Sequence, residues 1–113
     1  MKGILLIMNN EIISRITKFV EERNWDQFHS GENLAKALII EAAELLELFQ
    51  WKHEISNLEG LKDELADVFI YAIMLSKKYD LNIEEIITAK LKRNEEKYPV
   101  SKAYGRSKKY NEL

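Results

Sequence analysis

Apolar positions recur at three- and four-residue intervals through most of the chain, and polar interruptions divide it into four helical segments. Ile12, Ile13, Ile16, Phe19 and Val20 keep that spacing and predict a helix over about residues 9–24, with Asn9 or Asn10 as cap and Glu11 in its first turn. The aromatic and polar stretch RNWDQFHSGEN breaks the pattern around Gly31 and predicts a loop. A second helix follows over 32–51. KHEISNLEG, closed by Gly60, then connects to a third over 61–79. In DLNIEEI, Asn82 stands three residues before Glu85, a capping-box-like start for a helix over 82–97 that Pro99 stops. A basic tail, residues 100–113, completes the chain, and no repeat or low-complexity tract interrupts it.

Four helices with short connections predict one all-α domain over 1–113, a bundle with antiparallel neighbours. Helices two and three are apolar on nearly every face, which a lone small bundle could not bury. A homodimer or homotetramer is therefore expected.

Composition sharpens this picture. Of 113 residues 46% are hydrophobic and 32% charged, with four Gly and one Pro, the balance of a compact helical protein rather than a disordered one. The absence of Cys excludes disulfides and thiolate metal sites. The opening MKGILLIMNN has too short an apolar run for a signal-peptide core or a membrane span, so a cytoplasmic protein without a membrane partner is expected, with Met8 as an alternative start. A net charge of −2, from 17 basic and 19 acidic residues, provides no basic field for duplex nucleic acid.

The chemistry concentrates in LIIEAAELLELFQW, where Glu41, Glu44 and Glu47 stand in an otherwise apolar segment. At about 100° per residue, Glu41 and Glu44 lie about 60° apart on one side of their helix, and Glu64 and Asp67 repeat the geometry on the next. An isolated helical Glu is usually a surface acid tied to a nearby cation. Here Glu41 has Ala37, Leu38, Glu44 and Leu45 at helical spacing, and Glu44 has Ile40, Glu41, Glu47 and Leu48. Asp67 has Asp63, Glu64, Ile70 and Tyr71. Compensation must come from outside the helices. Clustered carboxylates without Cys favour a hard divalent cation, Mg²⁺ or alternatively Mn²⁺. A di-iron bundle would need Glu-x-x-His on two helices, and neither His29 nor His53 has a Glu three residues before it.

E-x-x-E at Glu41 and Glu44 followed by E-x-x-D at Glu64 and Asp67 resembles the metal-binding signature of the MazG-like all-α nucleoside triphosphate pyrophosphohydrolases. RNWDQFH, ELLELFQWK, ELADVFIYA, Lys90 with Asn94, KYPV and SKKYNEL extend the resemblance, in order and over nearly the whole chain, to their dCTP pyrophosphatase branch. The chain departs from that pattern at Ile40 and Ala43, where glycines are usual, and in a short HEISNLEG connection.

The resemblance implies Mg²⁺-dependent hydrolysis of a (deoxy)nucleoside triphosphate, dCTP-like, to monophosphate and pyrophosphate, as nucleotide-pool sanitation. Glu41, Glu44, Glu64 and Asp67 would hold the metal and act catalytically through it. Two tryptophans in a small protein are as often packing as function. With the resemblance, Trp25 and Trp51 become the expected walls of a base pocket, with His29 as a hydrogen-bonding group. Tyr71, one turn beyond Asp67, is either packing or a hydroxyl within reach of sugar or phosphate. As bare patterns, Lys90 with Asn94 is a solvated helix edge and the tail a mobile segment. The resemblance implies instead that Lys90 contacts phosphate, Asn94 reads sugar or phosphate, and Arg106 and Lys109 neutralise phosphate charge. Glu47 admits two roles, orienting a ligand or water, or pairing with a cation. The rival class is a non-catalytic helical module that binds nucleotide or metal as a regulator.

Overall fold

The structure, a computed structural model, describes residues 2–113, with side chains from residue 11 onward. Five α-helices and two 3-10 turns account for its regular structure, and no strand occurs among the described residues. The all-α class expected from the periodicity is what forms. The chain divides into two compact units, residues 1–80 and 81–113.

In the first unit, α1 runs Lys2–Glu22, α2 Gly31–Glu47 and α3 Leu58–Lys78. Helix α1 begins well before the expected position 9, so Asn9 and Asn10 lie inside it rather than at its cap; their side chains fall outside the described residues. Its end is set by Asn24 in the left-handed region, φ 54°. The Trp25 N–H donates back to the Val20 carbonyl and the Asn24 N–H to the Glu21 carbonyl, at 3.1 and 3.0 Å, the double bond of a Schellman cap. This cap fixes where Trp25 leaves the helix. A 3-10 turn, Asp26–Phe28, leads to Ser30, whose hydroxyl accepts from the Asn33 N–H at 3.1 Å and starts α2.

Helix α2 stops at Glu47 rather than at 51, because the following N–H groups bond three residues back. Phe49 donates to Leu46 and Gln50 to Glu47, so the chain tightens into turns and Trp51 lies beyond the helix. Helix α3 starts earlier than expected. The Asn57 side chain accepts from the Gly60 N–H at 2.9 Å, which makes Gly60 a first-turn residue instead of the close of a loop. The Asn57 amide occupies the space a Cβ on residue 60 would need, 2.6 Å from it.

Helix α3 packs along α2 and also touches α1, where Lys77 Nζ donates to the Thr17 hydroxyl. Leu34, 2% exposed, and Val20, 7%, are the fully buried apolar side chains among the described residues. Large apolar groups elsewhere remain open, with Ile39 70%, Leu46 69% and Phe69 58% exposed.

In the second unit, α4 spans Ile83–Lys97, begun by the Asn82 side chain accepting from the Glu85 N–H at 3.0 Å. Pro99 ends it and also starts a short α5, Val100–Ala103. The expected tail therefore holds structure: Gly105 turns at φ 73°, and Tyr110–Glu112 forms a 3-10 turn. Tyr110 packs edge-on against Tyr98, ring centroids 6.2 Å apart.

Candidate active site

Because α2 and α3 pack side by side, the two acid-bearing faces can meet. Glu41, Glu64 and Asp67 each offer a carboxylate oxygen, and the three oxygens lie within 4.8 Å of one another. Glu44 stands near enough to Glu41 and Glu64 to raise the carboxyl of each. Burial, the hydrogen bond with Glu44 and the charges of Glu44, Asp67 and Glu64 push the Glu41 carboxyl up from 4.5 to about 7. Burial first, then Glu44, Asp67 and Asp63, also raises Glu64 above the ordinary carboxylate range. Carboxyl groups this close disfavour joint ionisation, and a proton or a cation relieves the repulsion.

One oxygen each of Glu41 and Glu64, Oε2 in both cases, is shielded from solvent and has no hydrogen-bond donor. An ionised oxygen in that position is costly unless something positive satisfies it. The ion pairs among the described residues, Lys36–Glu32 and Lys62–Glu59, are solvent-exposed and involve none of these acids. Carboxylate oxygens at this spacing, two of them orphaned, fit an oxygen-ligated divalent cation. Glu47 is the exposed last residue of α2 and stands outside the triad.

A cleft of about 500 Å³ lies between α1 and α3, and it reaches the acid cluster at Asp67, one of its lining residues. Ile12, Ile16 and Phe19 form its α1 side, Ile70 and Met74 its α3 side. Trp25, His29 and Tyr71 line it as well. Trp25 stands edge-to-face with Phe19 at 5.7 Å, and the Arg23 guanidinium covers the Phe19 ring at 3.8 Å while donating to the Phe19 carbonyl. The aromatic wall is thus held from behind. Tyr71 is close enough to the acids that burial, then the charges of Glu41, Asp67 and Glu44, raise its hydroxyl above the usual range. His29 also borders a second cavity of about 310 Å³ with Asp26, Lys77 and Lys78.

Of the expected substrate groups, Trp25, His29 and Tyr71 come together with Asp67, and Trp51 does not. It is 87% exposed in the turns after α2 and lines neither cavity. Lys90, Asn94, Arg106 and Lys109 belong to the second unit. There Lys90 is exposed on α4, the Asn94 carbonyl accepts from the Tyr98 N–H, and Arg106 donates its N–H to the Ala103 carbonyl. Sequence reasoning missed Arg15, which lines the cleft. Its position three after Ile12 and four before Phe19, on the face already read as apolar, was the available signal.

The profile of the MazG-like family matches residues 36–113, a stretch that holds all four acids. The chain belongs to the MazG-like family. Among relatives, dCTP pyrophosphatase 1 of Mus musculus is 35% identical over 105 residues, 85% of this chain. The Homo sapiens protein of the same name is 36% identical over the same length. The chain spans 62% of the length of these curated relatives. A solved pyrophosphatase from Archaeoglobus fulgidus superposes with a TM-score of 0.74 at 35% identity, covering 81% of this chain and 93% of its own. The helical arrangement described above is thus a MazG-like pyrophosphatase fold. No described helix is long and apolar enough to cross a membrane.

Proposed function

We propose that this MazG-like protein hydrolyses (deoxy)nucleoside triphosphates between the α and β phosphates, giving monophosphate and pyrophosphate, with dCTP-like substrates and a role in clearing the nucleotide pool. The observation that carries the reading is the acid cluster, two of its oxygens orphaned, whose Asp67 shares a cleft with Trp25. A triphosphate is the ligand chemistry that needs both parts: a cation site for its phosphates and an aromatic surface for its base. The names of the mouse and human relatives support the dCTP-like substrate.

Glu41, Glu44, Glu64 and Asp67 would hold Mg²⁺, or Mn²⁺ in its place. Held by these carboxylates, such an ion would supply phosphate charge neutralisation and activation of water for attack. Trp25 stacks on the base, His29 offers hydrogen bonds at the same cleft, and the Tyr71 hydroxyl donates to sugar or phosphate at the acid end. Lys90, Asn94, Arg106 and Lys109 serve the phosphates and sugar, and Trp51 adds a second wall once a neighbouring surface covers it. The open apolar residues of α2 and α3 bury in a homodimer or homotetramer. The protein works in the cytoplasm on small nucleotides, with neither duplex nucleic acid nor membrane as partner.

The test is a panel of dNTPs and NTPs with Mg²⁺, following monophosphate and pyrophosphate, beside Glu44→Gln and Asp67→Asn. Turnover by the wild type with both variants severely impaired is expected. Absence of turnover, or variants as fast as wild type, refutes the enzyme. Orthophosphate in place of pyrophosphate refutes the bond assignment.

A further inference from the structure

The cleft contains one polar group that the reading above leaves without a task. Arg15 lines it from α1, among Ile12, Ile16 and Phe19. Among the described residues it makes no ion pair and no side-chain hydrogen bond. Arg23, just past the end of α1, is by contrast already engaged by the Phe19 ring and carbonyl. Arg15 is exposed at the cleft wall, and its guanidinium offers five N–H donors in a rigid plane and no acceptor, a fork that matches paired ligand acceptors.

The other polar side chains of the cleft divide by position. Asp67 belongs to the acid cluster, and Tyr71 lies within the field of Glu41, Asp67 and Glu44, so both are at the phosphate end. His29 and Arg15 remain for the base, and only Arg15 presents a planar pair of donors. Trp25 and Arg15 line the same cleft, so a base stacked on Trp25 shares that cleft with the guanidinium.

We propose that Arg15 is a specificity-determining residue that reads two neighbouring acceptors on the edge of the bound base. This deepens, and rests on, the assignment of the cleft to a nucleotide. Cytosine offers O2 beside N3, and guanine O6 beside N7. In uracil and thymine N3–H separates the two carbonyls, and adenine sets its amino group beside N1 and N7. The protein therefore prefers cytosine and guanine nucleotides over those of uracil, thymine and adenine. A bidentate arginine contact discriminates by about 5- to 150-fold.

The experiment compares wild type, Arg15→Gln and Arg15→Lys in two readouts: kcat/KM for dCTP, dGTP, dUTP and dATP with Mg²⁺, and calorimetric Kd for the four corresponding deoxynucleoside monophosphates. Circular dichroism confirms folding of each variant. Wild type is expected to favour the cytosine and guanine members in both readouts. Arg15→Gln should bring the ratios to within about 3-fold of unity by weakening those two members. Arg15→Lys, which keeps the charge and loses the planar fork, should do the same. A wild type without this preference, an equal loss on all four bases, or full discrimination in Arg15→Lys overturns the proposal. If no triphosphate is hydrolysed, the enzymatic reading fails, and the monophosphate Kd ratios still decide the role of Arg15.

Discussion

Replacing Glu41 by Gln should stabilise the metal-free protein while removing its response to metal. Two unit charges at the 4.8 Å limit of the triad repel by about 0.9 kcal/mol in water and about 3.5 kcal/mol at an effective dielectric of 20. Glu41 is half-buried and still reached by solvent, which keeps the repulsion toward the lower limit; about 1–2 kcal/mol is a reasonable gain. For a domain of this size that is a Tm rise of about 5–10 °C. The pH dependence fixes the sign. The folded-state carboxyl is raised to about 7, so between pH 4.5 and 7 the folded protein holds a proton that the unfolded chain releases. Stability of the metal-free wild type therefore falls as pH rises through that window, and the penalty is complete above it. Glu41→Gln lacks this titration, so its advantage should be large at pH 8 and small at pH 4.5. Mg²⁺ at 100 times its Kd should raise wild-type stability by about 2.7 kcal/mol and leave the variant nearly unmoved. Thermal melts at both pH values, with EDTA and with Mg²⁺, measure all four quantities. A variant less stable than wild type at pH 8 without metal, or an equal Mg²⁺ shift in both proteins, would refute the reasoning.

Trp25→Ala should weaken nucleotide binding by about 1–3 kcal/mol, read as Kd or KM, with kcat less affected; a change confined to kcat would remove it from the base. Asn57→Ala should cost about 1 kcal/mol of stability through loss of the α3 cap, seen as a lower denaturation midpoint at unchanged m-value. Asn24→Gly should be tolerated and Asn24→Val should destabilise by at least about 1 kcal/mol, because φ at residue 24 is positive; equal midpoints would contradict the Schellman cap. Deleting the residues after Tyr104 should raise KM for the triphosphate far more than it lowers Tm, and an unchanged KM would remove the tail from the site.

What the amino-acid pattern made legible was periodic and local, and what it hid depended on particular side-chain bonds. The helical class, the place of Asn82 as a cap and the closeness of Glu44 to Glu41 all follow from spacings of three and four. The start of α3 did not, because Gly60 reads as a loop residue until the Asn57 carboxamide is seen on its N–H. Trp51 continues the apolar run of α2 in sequence, yet the Phe49 and Gln50 N–H groups bond three residues back and carry it off the helix. Arg15 was hidden for the opposite reason. It obeys the helical period, and a lone charge on an apolar stripe reads as a solvated edge until a cleft is found on that side. The same distinction bears on function. Periodicity brings carboxylates to one face, but only packing of α2 on α3 leaves the Glu41 and Glu64 oxygens shielded and without donors. That electrostatic tension comes from the packing, and either a proton on Glu41 or a cation among the carboxylates relieves it.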